Sequence, residues 1–116
     1  MKTGEGIRMS EFSLNTTKIP AQEMDWGSLK SLFDGEAIDA TGGFNLGYIV
    51  YNKPHYSGVH DDHEIIYIIE GRGSALIGNQ EVEFGDNFLL VIPAGTEHSI
   101  AQITAGPVKA ILAHFT

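Results

Sequence analysis

With 116 residues, 15 acidic and 7 basic side chains and a net charge of -8, the chain has room for one domain around a single core. No lysine or arginine cluster is present to follow a phosphate backbone, so nucleic acid is not an expected partner, and the lack of cysteine excludes disulfides, thiolate zinc sites, iron–sulfur clusters and cysteine nucleophiles. No run reaches the roughly 18 apolar residues that span a bilayer and the start MKTGEGIR has no apolar stretch of a signal peptide, which predicts a cytoplasmic protein with no membrane partner.

Residues 1–17 are polar and glycine-containing and predict a flexible N-terminal segment, leaving 18–116 as the single folded domain; Met9 is an alternative start. From Lys18 to Phe33 the apolar residues follow neither a helical nor a strand period, and Pro20 and Gly27 interrupt regular structure. An extended covering segment with one helical turn is expected. FNLGYIVYN, residues 44–52, reads as a strand ended by Pro54. Glu64–Glu70, EIIYIIE, is a second strand, closed by Gly71-Arg72-Gly73. Extended, it turns Glu64, Ile66 and Ile68 one way and Ile65, Tyr67 and Ile69 the other, so both faces are apolar. The outer face needs a cover, either the N-terminal segment or a second subunit, and a homodimer is expected. Ser74–Ile77 and Gln80–Phe84 flank Gly78-Asn79, a two-residue hairpin turn. FLLVI, a strand beginning near Glu97 and a last strand VKAILAHF complete an all-β, antiparallel chain with no long helix.

Among these strands stand His60, Glu64 and His98. Two imidazoles and a carboxylate hold a borderline divalent metal while leaving positions open for water or substrate. The other reading of the trio is a polar pocket without metal. His55 and His63 are candidates for a further ligand. His63, however, precedes Glu64 directly and so points to the opposite face of an extended strand, whereas His55 reaches the site only if its loop folds back. His63 and His114 read as structural or solvent-exposed, Asp61 and Asp62 as a solvated turn, and Tyr48, Tyr51 and Tyr67 as packing residues. No serine sits in a nucleophile elbow, and no helix-turn-helix is present.

These residues resemble the cupin superfamily, whose first motif is written G-x5-H-x-H-x3,4-E-x6-G and whose second is G-x5-P-x-G-x2-H-x3-N. His60, Glu64 and Gly71 match the first, but Gly58 stands at the first histidine and Asn52 at the leading glycine. Pro93, Gly95 and His98 match the second, with Gln102 in place of asparagine and Gly85 two residues too far away. The resemblance extends loosely from Trp26 to Phe115 and implies an antiparallel jelly-roll β-barrel. It also implies metal binding by His60, Glu64 and His98, the ion being a divalent transition metal (iron, manganese, nickel or zinc). Without the first histidine the set is similar in type to the two-histidine, one-carboxylate triad of non-haem iron(II) oxygenases. A dioxygenase-like enzyme acting on a small metabolite is therefore expected, with isomerase or lyase chemistry next. The alternative is a non-catalytic, small-molecule-binding cupin whose metal site is degenerate or absent. A metal-free epimerase using histidine as base is weaker, because further catalytic residues of such enzymes are not found here.

Overall fold

A computed structural model describes residues 13–116. The expectation of a flexible segment over 1–17, and the alternative start at Met9, fall outside the described residues as far as residue 12. Residues Thr16–Lys18 form a single 3-10 turn capped by the Asn15 side chain, which accepts from the Thr17 amide at 3.1 Å. No helix among the described residues is long and apolar enough to cross a membrane.

Eight strands follow: β1 (Gln22–Met24), β2 (Gly27–Asp34), β3 (Phe44–Tyr51), β4 (His55–Gly58), β5 (His63–Ile77), β6 (Gln80–Phe84), β7 (Leu89–Ile92) and β8 (His98–Phe115). All pairings are antiparallel, in the order β1-β2-β3-β8-β5-β6, with β4 added to β8 and β7 to β5. The expected all-β jelly-roll barrel is present.

Two long strands dominate it. The sequence divides Glu64–Glu70 from Ser74–Ile77 at Gly71-Arg72-Gly73, but β5 runs through all of them. Likewise the strand near Glu97 and VKAILAHF are one strand, β8. The glycines make bulges and not a chain reversal: the β5–β8 register shifts repeatedly between Ile68 and Ala75. Gly71 takes φ +121°, where a Cβ would meet Val108 Cα at 2.8 Å, and its amide donates to Asp86 Oδ1 at 2.8 Å. A Cβ at Gly73 would lie 2.0 Å from the Gln102 carbonyl oxygen. The ribbon therefore bends where its backbones approach most closely.

The alternation read for β5 holds. Glu64, Ile66 and Ile68 are buried, while Tyr67 and Ile69 are each 39% exposed. Burying isoleucines as completely as Ile66 and Ile68 stabilises the barrel by about 1.5–3 kcal/mol each. Inward positions of β3, β7 and β8, such as Ile49, Leu90 and Val108, complete the same core. On the outer face Tyr67 lies opposite Leu89 and Ile65 opposite Val91.

The segment expected as an extended cover is instead a hairpin, β1 with β2, joined to the main sheet through β3. The chain turns at Asp25 and Trp26, and the Trp26 carbonyl accepts from the Asn52 amide at 2.7 Å. Gly27 lies opposite Tyr51, and a Cβ on it would stand 1.8 Å from the Val50 carbonyl oxygen. That contact is with backbone, which cannot swing aside. Gly27→Ala should therefore destabilise the protein by about 3 kcal/mol in urea unfolding. Gly42→Ala, whose added carbon meets nothing nearer than Thr116 Oγ1 at 3.6 Å, should be near neutral. Equal midpoints for the two variants would refute this account of the β2–β3 seam.

Candidate metal centre

The ends of the β5–β8 ribbon build the site. Glu64 is the second residue of β5, with His114 directly opposite it near the end of β8. His98 opens β8 at the other end of the ribbon, opposite Ile77 on β5 and Gly58 on β4. A straight strand would hold His98 and His114 about 50 Å apart, yet the longest dimension of the molecule is 41 Å and both imidazoles reach the same carboxylate. The bulged ribbon curls until its ends meet. The turn between β4 and β5 adds His60 and Asp62.

His98 Nε2 lies 2.9 Å from Glu64 Oε1, His60 Nε2 lies 4.0 Å from the same oxygen, and His114 Nε2 lies 3.8 Å from Glu64 Oε2. His114 Nδ1 is 3.3 Å from Asp62 Oδ1. Two sets of possible ligand atoms, His60 with Glu64 and His98 and His60 with Asp62 and His114, each lie within 4.8 Å of one another. Donors about 2.1 Å from one ion are about 3 Å apart when adjacent and about 4 Å apart when opposite, so the observed separations fit a divalent transition ion. The donor types, imidazole and carboxylate, fit as well.

The sequence trio is thus brought together, and the structure adds two residues the sequence reading left out. His114, read as structural or solvent-exposed, faces the centre, and Asp62, read as part of a solvated turn, stands beside it half-buried. The signal for His114 lies in the alternation of the last strand: Val108, Ala110 and Leu112 are buried, and His114 continues their face. Nothing local in the sequence marks Asp62. His63 points away as alternation requires, and its Nδ1 accepts from the Ala94 amide at 2.9 Å. His55 lines the same cavity but stacks on Trp26, with ring centroids 4.2 Å apart.

Gly58 occupies the position of the absent histidine. Its φ is +86°, and a Cβ there would meet only Tyr56 Cε2, at 3.8 Å. Backbone conformation, and not crowding, disfavours a side chain at this point.

Above the cluster lies a cavity of about 430 Å³, walled by Trp26, Tyr51 and His55 and by Leu29, Ile49 and Leu112. Burial, followed by the negative charge of Glu64, holds the Tyr51 hydroxyl protonated far above the usual phenol range. Tyr51, read as packing, is buried in the core and also contributes to the cavity wall.

The Cupin domain family matches residues 52–114. The chain is a cupin. Among solved structures, an RmlC-like cupin from Shewanella frigidimarina NCIMB 400 is similar at TM-score 0.73 and 14% identity, covering 94% of both chains. The cupin domain of Schizosaccharomyces pombe Cnp3 gives 0.72 and 14%, over 90% of this chain and 74% of that one. Bacillus subtilis oxalate decarboxylase, in a study of its Mn(II) centres, gives 0.72 and 15%, but only 28% of its length is covered by the match to 87% of this cupin. At these identities the likeness concerns the fold. No curated protein matches the sequence.

Within the cupin site, His98 is oriented from behind. Its Nδ1 is 3.0 Å from the Thr96 carbonyl, an acceptor only, so Nδ1 carries a proton and donates it. In the neutral ring Nε2 is then a lone pair aimed at Glu64 and available to a metal. Without metal, the carboxylate favours a second proton in that gap. The hydrogen bond to Glu64 raises the His98 pKa above 6.5, burial opposes the rise, and the Thr96 carbonyl and the Glu64 charge add to it. A raised folded-state pKa means the pair stabilises the metal-free fold below pH 6.5 and loses that contribution as pH rises through the raised value. His55 moves the other way, lowered chiefly by burial.

An NMR titration of the imidazoles in metal-free protein should find His98 above the ordinary histidine value and His55 below it. Glu64→Gln should bring His98 down. An unchanged His98 in that variant would remove the carboxylate from the explanation.

Proposed function

We propose that this cupin is a metal-dependent enzyme of the dioxygenase type, acting on a small molecule held in the cavity beside His60, Glu64 and His98. The observation that carries the reading is the convergence of those three ligand atoms within 4.8 Å of one another, with His60 and Glu64 also lining a cavity of about 430 Å³. A divalent ion there, whether iron, manganese, nickel or zinc, supplies a Lewis-acidic and, for iron or manganese, redox-active centre with open coordination positions. Two imidazoles and a carboxylate favour the oxygenase type over an isomerase or lyase.

The chain's own groups do the positioning. Thr96 fixes the His98 tautomer, Asp62 turns the His114 ring, and His114 stands beside the trio as a further candidate donor, 3.8 Å from Glu64 Oε2. The Tyr51 hydroxyl stays protonated and can donate to an oxygen of a bound molecule. The apolar wall, with Leu29, Ile49 and Leu112, offers a bound molecule surface to bury beside the cluster.

Elemental analysis of protein purified without chelators should find about one transition metal per chain. His60→Ala and His98→Ala should lose it while still melting cooperatively, because the core strands do not depend on the site. His114→Ala should weaken binding about 10- to 100-fold. Affinity should fall as pH drops below the histidine range, since metal and proton compete for His98 Nε2. Anaerobic addition of nitric oxide, a stand-in for dioxygen, to iron(II)-loaded protein should give a high-spin iron–nitrosyl EPR signal. A chain that takes up none of the four metals would instead be a ligand-binding cupin without catalysis, and a loaded chain with no nitrosyl signal would not be an oxygenase.

The functional unit of this reading is a homodimer. Leu89 and Val91 are 53% and 56% exposed beside Tyr67 and Ile69, and the far edge of β7 pairs with no strand among the described residues. A second copy of this uncharged patch covers the outer face and limits edge-strand aggregation. Sedimentation should show a dimer, and Leu89→Glu with Val91→Glu a folded monomer; a monomeric parent protein would contradict the proposal.

A further inference from the structure

Beside the motif trio stands a second set of possible ligands, of which only His60 belongs to a cupin motif. His60, Asp62 and His114 offer two imidazoles and a carboxylate whose ligand atoms lie within 4.8 Å of one another, the same donor types at the same spacing as the trio. Asp62 comes from the turn between β4 and β5 and His114 from near the end of β8. The two sets have His60 in common.

Access separates them. Side-chain exposure lies between 22% and 37% for His60, Asp62 and His114, and at 4% to 5% for Glu64 and His98. All three of the more exposed residues line the cavity of about 430 Å³, whereas His98 lines a separate, much smaller pocket with Ile66, Ile92 and Ile100. An ion arriving through the cavity therefore meets His60, Asp62 and His114 before it can reach His98.

The two sets are also closed to different degrees. His98 Nε2 and Glu64 Oε1 lie 2.9 Å apart, an ordinary hydrogen-bond length, so an ion enters the trio only by replacing that contact. His114 Nδ1 and Asp62 Oδ1 stand 3.3 Å apart. That is longer than the usual N–H···O range of about 2.7–3.2 Å and close to the spacing of about 3.4 Å between two donors held tetrahedrally about 2.1 Å from one ion. Among the described residues the Asp62 carboxylate pairs with no lysine or arginine, only with His114.

We propose that His60, Asp62 and His114 form a second site for a divalent transition ion, an outer seat that receives the ion from the cavity before it moves to the trio. The shared His60 permits the move without release: the ion keeps one imidazole while Asp62 and His114 are exchanged for Glu64 and His98. A neutral imidazole has one lone pair, so the seats are alternatives and the chain holds one ion at a time. The move to the trio rests on the metal reading above; the outer seat itself does not.

Cobalt(II) is the probe. It stands between iron and nickel in the order of divalent affinities, its visible bands report coordination, and it quenches Trp26, the only tryptophan in the chain and part of the cavity wall. Metal-free His98→Ala, without the inner seat, should bind one cobalt per chain at least about tenfold more weakly than the parent, weakly enough to lose it in purification. Adding Asp62→Ala should weaken that binding at least about tenfold again. In stopped-flow mixing the parent should load in two phases, a fast one whose rate rises with cobalt concentration and a slower one independent of it. His98→Ala should keep only the first phase, and Asp62→Ala alone should slow the first phase at least about tenfold.

A folded His98→Ala chain that takes up no cobalt, while the parent does, overturns the outer seat and leaves the metal reading standing. Binding to His98→Ala that the added Asp62→Ala leaves unchanged does the same. Single-phase loading of the parent, at a rate that Asp62→Ala leaves unchanged, overturns the proposal even if His98→Ala does not fold. No uptake by either chain overturns the seat and the metal reading together. Two-phase loading of a parent that gives no iron–nitrosyl signal supports both seats and removes only the oxygenase reading.

Discussion

The curl of the β5–β8 ribbon is the constraint on which the site depends. Neither strand contains a metal motif in a local sense: Glu64 and His114 sit at one end of the ribbon and His98 at the other. Only because bulges around Gly71 and Gly73 let the two backbones bend together does His98 come within 2.9 Å of Glu64. The bend is fixed by close approach, with Val108 and Gln102 leaving no room for a Cβ, and by Asp86 accepting from the Gly71 amide. A region at the opposite end of the barrel from the histidines therefore governs their spacing. The geometry of the cluster is a property of strand curvature, which the hydrophobic core on the inner face holds in place.

At the centre of that geometry is one gap, between His98 Nε2 and Glu64 Oε1. Both side chains are nearly fully buried, at 4% exposure each, and an unpaired charge on either would be costly. A shared cation would relieve this: a proton, which the contact favours by raising the His98 pKa, or, on the proposed reading, a metal ion. The Thr96 carbonyl makes the exchange clean. By fixing the proton on Nδ1 it leaves Nε2 as the position that changes occupant. On the proposed reading proton and metal compete for one lone pair, and the same contact that stabilises the metal-free fold at low pH would oppose metal binding there.

How much of this was legible in the sequence follows from the range of the signals. Glu64 and His98 could be read because they lie in motifs whose turn glycines fix their distance from a strand end, and the inward set Glu64, Ile66 and Ile68 followed from a period of two. The hairpin at Gly78-Asn79 was local chemistry and appears as read, with Ile77 opposite Gln80. The continuity of β5 through Gly71-Arg72-Gly73 was not legible, because glycine-rich stretches mark bulges and turns alike and only the partner strand decides between them. His114 was missed for a related reason. Its face could be inferred from Val108, Ala110 and Leu112, but its closeness to Glu64 depends on cross-strand register. Asp62 depends in turn on His114. The segment before β3 became a hairpin because its pairing with Tyr51, Ile49 and their neighbours overrides a weak local pattern.

Gly58 stands where the first cupin motif has a histidine. With φ at +86°, its backbone is in a conformation that a histidine adopts only under strain, so restoring the side chain there would disturb the β4–β8 pairing with His98 itself. A further imidazole at the cluster comes from the last strand, where His114 is held against Asp62. A position on β8 is bound into the sheet on both sides, by Asn45 of β3 and Glu64 of β5, whereas Gly58 belongs to a four-residue strand paired only to β8. A donor supplied from the centre of a sheet is more rigidly placed than one supplied from its edge. His55, also on β4, lies flat on Trp26 and belongs to neither set of possible ligand atoms. His114 and His55 are thus held by different devices, the first by cross-strand register and the second by a ring contact with Trp26.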